Sequence, residues 1–115
     1  MEMQEKTVFL IDGEMGAGKT HFVKSLVPEA TSPTFTIINQ YRENIYHLDL
    51  YRLEREEEFY HLGLEEILNG DNIVFIEWAE KLPPVWRDMI SGLIVRVKIC
   101  KLEDGRREVT VSRHS

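Results

Sequence analysis

The chain has a single cysteine, Cys100, among its 115 residues. No internal disulfide is possible, and a reducing cytosol is the natural compartment. Cys100 falls in a predicted strand and reads as a small core or edge residue, not a nucleophile. Long apolar runs are also missing. None approaches the length of a membrane span, and no signal peptide opens the chain. Positive charge is in short supply: 14 Lys and Arg face 20 Asp and Glu, for a formal net charge of −6. That argues against indiscriminate binding to DNA or RNA, which needs a broad basic surface. It leaves room for a local basic patch, or for docking onto a partner that holds the nucleic acid. Repeats and low-complexity segments are absent too. What remains is a chain that is 43% hydrophobic, enough for a core, with a length that suits one domain over residues 1–115.

One stretch organises the rest. Thr7-Val-Phe-Leu-Ile-Asp12 is an apolar, partly β-branched run, as expected of a strand buried on both faces. Gly13-Glu-Met-Gly-Ala-Gly18-Lys19-Thr20 follows it and fits G-x-x-x-x-G-K-[ST], the phosphate-loop pattern. Glycines let the backbone curl so that several N–H groups point inward at phosphate oxygens. The loop then opens a helix, whose N-terminal dipole adds positive potential at the same place. In that pattern Lys19 reaches the β- and γ-phosphates and Thr20 offers its hydroxyl to Mg²⁺. The context supports it, because Phe22, Val23, Leu26 and Val27 make one apolar helical face and Pro28 ends the run. The bland alternative is a glycine-rich turn with a solvated Lys19.

Beyond Pro28, the X-Pro step at Ser32-Pro33 points to an extended or turn conformation. Residues 35–41 and 44–51 read as two strands, with Arg42 and Glu43 as their hairpin link. Residues 53–62 read as a helix stopped by Gly63, and 64–68 as a second short helix ending at Asn69-Gly70. Residues 72–76 form another buried strand, running into Glu77-Trp78. Residues 79–91 are irregular or short helix, broken by Pro83-Pro84. Residues 93–102 alternate as a half-buried strand. Asp104-Gly105 is a hairpin signal, and residues 107–113 return with Val109 and Val111 inward. The sum is an α/β fold of the P-loop NTPase kind: a mixed, mostly parallel central sheet flanked by helices, with a C-terminal antiparallel hairpin.

The remaining chemistry sits at strand ends. A phosphate loop needs a second carboxylate to hold Mg²⁺, usually at the end of a neighbouring buried strand. Glu77 meets that description, with a surface glutamate as the alternative. In His47-Leu-Asp49-Leu-Tyr51-Arg52, alternation puts His47, Asp49 and Tyr51 on one face and Leu48 and Leu50 on the other. Asp49 then faces either the metal and attacking water or plain solvent. His47 reads as a structural histidine in preference to a base. Arg52 either neutralises phosphate charge or pairs with a glutamate. Ser32-Pro-Thr34 is either a switch segment sensing the γ-phosphate or a plain loop. Trp78 reads as core, and Glu54, Glu56, Glu57 and Glu58 as a solvated helix face.

The order Gly-Glu-Met-Gly-Ala-Gly-Lys-Thr, Ser-Pro-Thr-Phe-Thr, His-Leu-Asp-Leu-Tyr-Arg and Ile-Glu-Trp closely resembles the TsaE (YjeE) family of bacterial ATPases. The resemblance runs from about Val8 to about Val111. It implies an ATPase needed for threonylcarbamoyl (t6A) modification of adenosine 37 in tRNAs reading codons that begin with A. The partner it implies is the TsaB–TsaD pair, with tRNA engaged only through that pair. It places nucleotide binding at Gly13, Glu14, Met15, Gly16, Ala17, Gly18, Lys19 and Thr20, with His21 beside them. It adds Ser32 and Thr34 as a switch-like segment, and Trp78. Mg²⁺ would be held by Thr20 and Glu77, with Asp49 as a further metal or water ligand. Lys19, Asp49 and Glu77 become the catalytic set. One departure is visible: family members usually carry a helix and a strand or so before the loop strand, a segment that helps cover the base, and little precedes that strand here.

No arginine is evidently poised beside the loop. Such a charge is worth about 10³–10⁵ in rate, so the expectation is an ATPase slow alone and activated by partners, with Arg52 the internal candidate. Two rivals stand. A small-molecule kinase would need an acceptor pocket and usually an arginine-bearing lid. A nucleotide-dependent adaptor would bind ATP and partners without turnover.

Overall fold

The structure is a computed structural model that describes residues 6–14, 17–31 and 37–114. In chain order its strands are β1 (Thr7–Gly13), β2 (Ile38–Arg42), β3 (Ile45–Asp49), β4 (Ile73–Glu77), β5 (Leu93–Lys101) and β6 (Arg107–His114). Its helices are α1 (Lys19–Leu26), α2 (Glu56–Phe59), α3 (Leu64–Asn69) and α4 (Pro84–Arg87), with a 3₁₀ turn at Ala79–Lys81. All six strands form one sheet in the order β2-β3-β4-β1-β5-β6. The four central strands are parallel, and β2 and β6 are antiparallel additions at the two edges.

Period-2 alternation divides the core into two layers. Phe9, Ile11, Phe75, Val95, Val97 and Ile99 pack beneath Val23 of α1 and Val27 just after it. Val8, Leu10, Leu48, Val74 and Ile76 face the other way, against Phe59, Leu64, Leu68, Leu82 and Trp86. The central strands are thus covered on both faces, which is why β4 reads IVFIE with no exposed position. β1 lies between β4 and β5, and the chain passes from β4 to β5 by crossing over β1. The crevice at the carboxyl ends of these strands is where an open α/β sheet holds a ligand.

Several expected elements are shorter than their sequence signals. The helix expected over 53–62 is only Glu56–Phe59, and Tyr60 to Gly63 continue as turns. Four residues carrying three consecutive glutamates gain little from propensity, and only Phe59 is buried on that helix. The strand expected over 35–41 is seen from Ile38, and residues 32–36 lie outside the described residues. Pro84 sits at the start of α4, where its missing N–H is harmless. One expectation holds for direction but not for burial. Val109 and Val111 share the face of the core residues Ile99 and Val97, yet they are 48% and 43% exposed, and every position of β6 is exposed. Their alternation matches that of Ile99 and Val97, to which they pair, but among the described residues no helix covers this edge of the sheet.

Candidate functional site

The Gly13–Thr20 loop leaves β1 at the centre of the crevice. Gly13 is crowded: a Cβ there would come within 2.8 Å of the Ile99 carbonyl oxygen on β5. Gly18 has φ of 101°, in the left-handed region that suits glycine. It sets the start of α1, whose first N–H groups have no side-chain cap and remain available to an anion. Met15 and Gly16 lie outside the described residues, as do Ser32 and Thr34. Ala17 is buried, its N–H donating to the Glu14 carbonyl across 3.0 Å. His21 is exposed in the first turn of α1.

Lys19 is only 6% exposed. Its Nζ donates to the carbonyls of Gly13 at 2.7 Å and Glu14 at 3.0 Å. The same ammonium lies 4.2 Å from the centroid of the Trp78 ring. Trp78 follows the last residue of β4 and turns the chain with φ of 59°. Its ring meets Tyr51 at 4.9 Å and packs partly buried against the core. The sequence reading of Trp78 as core therefore captures one side of it; the other side is a platform for the loop lysine.

Thr20 and Glu77 meet across the crevice. Thr20 Oγ1 donates to Glu77 Oε2 at 2.9 Å, and His47 Nε2 contacts the same oxygen at 2.5 Å. His47 is completely buried and Glu77 is 4% exposed. Tyr41 Oη lies 2.6 Å from His47 Nδ1 and also contacts the backbone of Thr31. His47 is therefore a buried histidine clamped between Tyr41 and Glu77, in line with its reading as a structural, hydrogen-bonding residue. Parallel pairing aligns β3 with β4 so that Asp49 sits beside Glu77. The Asp49 carboxylate accepts the Tyr51 N–H at 3.0 Å. Burial pushes its pKa above the ordinary 3.8, and the nearby Glu77 charge adds to the rise, while His47 and Lys19 oppose it.

The donor set fits Mg²⁺. Thr20 hydroxyl and Glu77 carboxylate are hard oxygen donors already in contact, with Asp49 in the adjacent register. Among the described residues no three His, Cys, Asp or Glu side chains group as a metal cage. Mg²⁺ does not need one, since it usually takes one or two carboxylates and completes its shell with water and phosphate oxygens.

Two features escaped the sequence reading. Asp12 and Glu80 form a carboxyl pair beside the loop, Glu80 N–H donating to Asp12 Oδ1 at 3.1 Å. Burial, then the hydrogen bond and charge of Asp12, push the Glu80 carboxyl up to about 7. Arg107, at the start of β6, lies against Gly18: a Cβ on Gly18 would sit 3.1 Å from its Nε. Arg52 is exposed in the turn after β3. The signal for Arg107 was present, because the Asp104-Gly105 turn returns the chain at the carboxyl end of β5, next to the loop.

The chain is similar to known proteins over most of its length. A family model described as "Threonylcarbamoyl adenosine biosynthesis protein TsaE" matches residues 1–109. The "tRNA threonylcarbamoyladenosine biosynthesis protein TsaE" of Treponema pallidum is 37% identical over 118 residues, covering 96% of this chain and 84% of the relative. The protein of the same description from Nostoc is 46% identical over 92 residues, 67% of this chain and 55% of that protein. The crystal structure of Bacillus subtilis YdiB superposes with a TM-score of 0.69 at 29% identity, covering 95% of this chain and 69% of that one. Among the described residues no helix is long and apolar enough to cross a membrane.

Proposed function

Since the chain belongs to the TsaE family, we propose that it binds and hydrolyses ATP with Mg²⁺ in threonylcarbamoyl (t6A) modification of tRNA adenosine 37. In this reading it acts in the cytoplasm with the TsaB–TsaD pair and reaches tRNA only through them. The observation that supports it most is the 2.9 Å contact between Thr20 and Glu77, which joins the loop to the neighbouring strand end beside the Lys19 ammonium.

The residues divide the work. The Gly13–Thr20 loop and the open N-terminus of α1 receive the phosphates. Lys19 exchanges its two carbonyl acceptors for phosphate oxygens, a charge-assisted contact stronger than the neutral ones it leaves. Thr20 and Glu77, with Asp49 beside them, would hold Mg²⁺, which supplies charge neutralisation at the phosphates. His47 and Tyr41 fix the Glu77 carboxylate so that it does not reorganise when a dication arrives. Asp49 orders the attacking water.

The test is ATP hydrolysis by the protein alone, with the TsaB–TsaD pair, and with the pair plus tRNA. Slow release of phosphate alone and a marked rise in the assembly are expected. ATP binding without turnover in the full assembly would make the protein a nucleotide-dependent adaptor. Transfer of phosphate to an added small acceptor would make it a kinase.

A further inference from the structure

Lys19 is not the loop's sole cation. β5 runs parallel to β1 with Ile99 level with Gly13, so Cys100 and Lys101 continue past the base of the loop. Arg107 pairs with Lys101 and is carried to the same height. There its side chain lies along Gly18: an added Cβ would be 3.1 Å from Nε, 3.3 Å from Cδ and 3.5 Å from Cζ. Gly18 thus has two reasons to lack a side chain, its left-handed φ and the guanidinium against it. Arg107 is exposed, and among the described residues it makes no ion pair or hydrogen bond through its side chain. An exposed arginine laid along this loop, with no carboxylate partner among the described residues, adds positive charge to the site that solvent only partly screens.

The side of the loop matters. Lys19 leans toward Trp78 and Thr20 toward Glu77, both on the β4 flank of β1. Arg107 stands on the β5 flank. If Mg²⁺ and the terminal phosphate occupy the Thr20–Glu77 side, the chain of phosphates must leave the loop on the other side, toward β5 and β6. We propose that Arg107 is a phosphate-contacting residue for the α-phosphate end of a nucleoside di- or triphosphate, remote from the metal end. This rests on the nucleotide-binding reading above. It requires that Arg107 serve ATP and ADP alike, because both carry that phosphate, and that it act without Mg²⁺.

The experiment is calorimetric titration of ATP and of ADP, each with Mg²⁺ and with EDTA, into the native protein and folded variants. Arg107→Ala should weaken ATP and ADP by the same factor, about tenfold, the usual scale for one charge-assisted contact. The factor should persist in EDTA. Arg107→Lys should recover part of the loss, and Arg113→Ala, on the same face of β6, should bind as the native protein does. Circular dichroism checks each fold. Native ADP affinity in Arg107→Ala, where Lys19→Ala has lost it, overturns the proposal and leaves the nucleotide site standing. Loss confined to ATP also overturns it, since that places Arg107 at the γ-phosphate. If native protein and Lys19→Ala both fail to distinguish ATP from buffer, the nucleotide reading falls and takes Arg107 with it.

Discussion

Lys19 Nζ stands 4.2 Å from the centre of the Trp78 ring while it donates to the carbonyls of Gly13 and Glu14. The lysine is held by the loop it serves and by the residue that ends β4. A phosphate in the loop competes for that ammonium, and its departure changes the electrostatic field on the indole. ATP should therefore alter Trp78 fluorescence, against the constant background of buried Trp86. Lys19→Ala should abolish both that response and ATP hydrolysis, yet keep its fold, because water can serve the two loop carbonyls. Unchanged hydrolysis in a folded Lys19→Ala protein would sink the assignment of the loop.

Glu77→Gln separates charge from shape. Glu77 is nearly fully buried with two contacts on one oxygen, and glutamine preserves the carbon skeleton. It removes the negative charge that a hard dication needs. The expected result is nucleotide binding that no longer strengthens with Mg²⁺. His47 also loses an ionised acceptor, so stability should fall by about 1–3 kcal/mol, the range for a compromised buried hydrogen bond. Equal strengthening of ATP binding by Mg²⁺ in both proteins would place the metal elsewhere.

The legible part of this site was the part written in contiguous residues. The loop pattern specifies backbone shape, alternation set Asp49 on the polar face of its strand, and Glu77 stood out by its place at the end of a buried apolar strand. Tyr41, His47 and Glu77 come from three strands, and only the β2-β3-β4 register brings them into one chain of contacts. Arg107 is 89 positions from Gly18 by their numbering, so nothing local links them. Val109 and Val111 show the converse. Alternation predicts which residues share a face, but it does not say whether anything covers that face, and here among the described residues nothing does. The helix expected over 53–62 failed for a related reason: its apolar positions are anchored by tertiary contacts of Leu53 and Phe59, not by a continuous helix.

The Asp12–Glu80 pair predicts a pH effect on stability. Glu80 has a folded pKa of about 7, above its ordinary 4.5. The folded state therefore binds this proton more tightly than the unfolded chain. The resulting stability is fully present below about 4.5 and is lost as pH rises through about 7. Glu80→Gln keeps a neutral, similar shape at every pH. Its melting temperature should match the native protein near pH 4.5 and exceed it at pH 8. The gain will be small, since Glu80 is exposed and solvent screens the pair. A difference between the two proteins that does not change with pH would show that the pair does not share a proton.

Asp49 distinguishes binding from turnover. It ends β3 with Leu48 and Leu50 in the core beneath it, and its carboxylate lies level with Glu77. A carboxylate there can order the attacking water or hold a metal-bound one, and either role acts mainly in the transition state. Asp49→Ala should therefore bind ATP within a few-fold of the native protein but lose partner-stimulated hydrolysis and fail to support tRNA modification. Asp49→Asn supplies the structural control, since its amide oxygen can still accept the Tyr51 N–H. It should fold and bind ATP normally and be as inactive as the alanine. Native hydrolysis by Asp49→Ala in the assembly would return this residue to a strand-end hydrogen bond. Lost partner binding with intact ATP chemistry would place it in the interface instead.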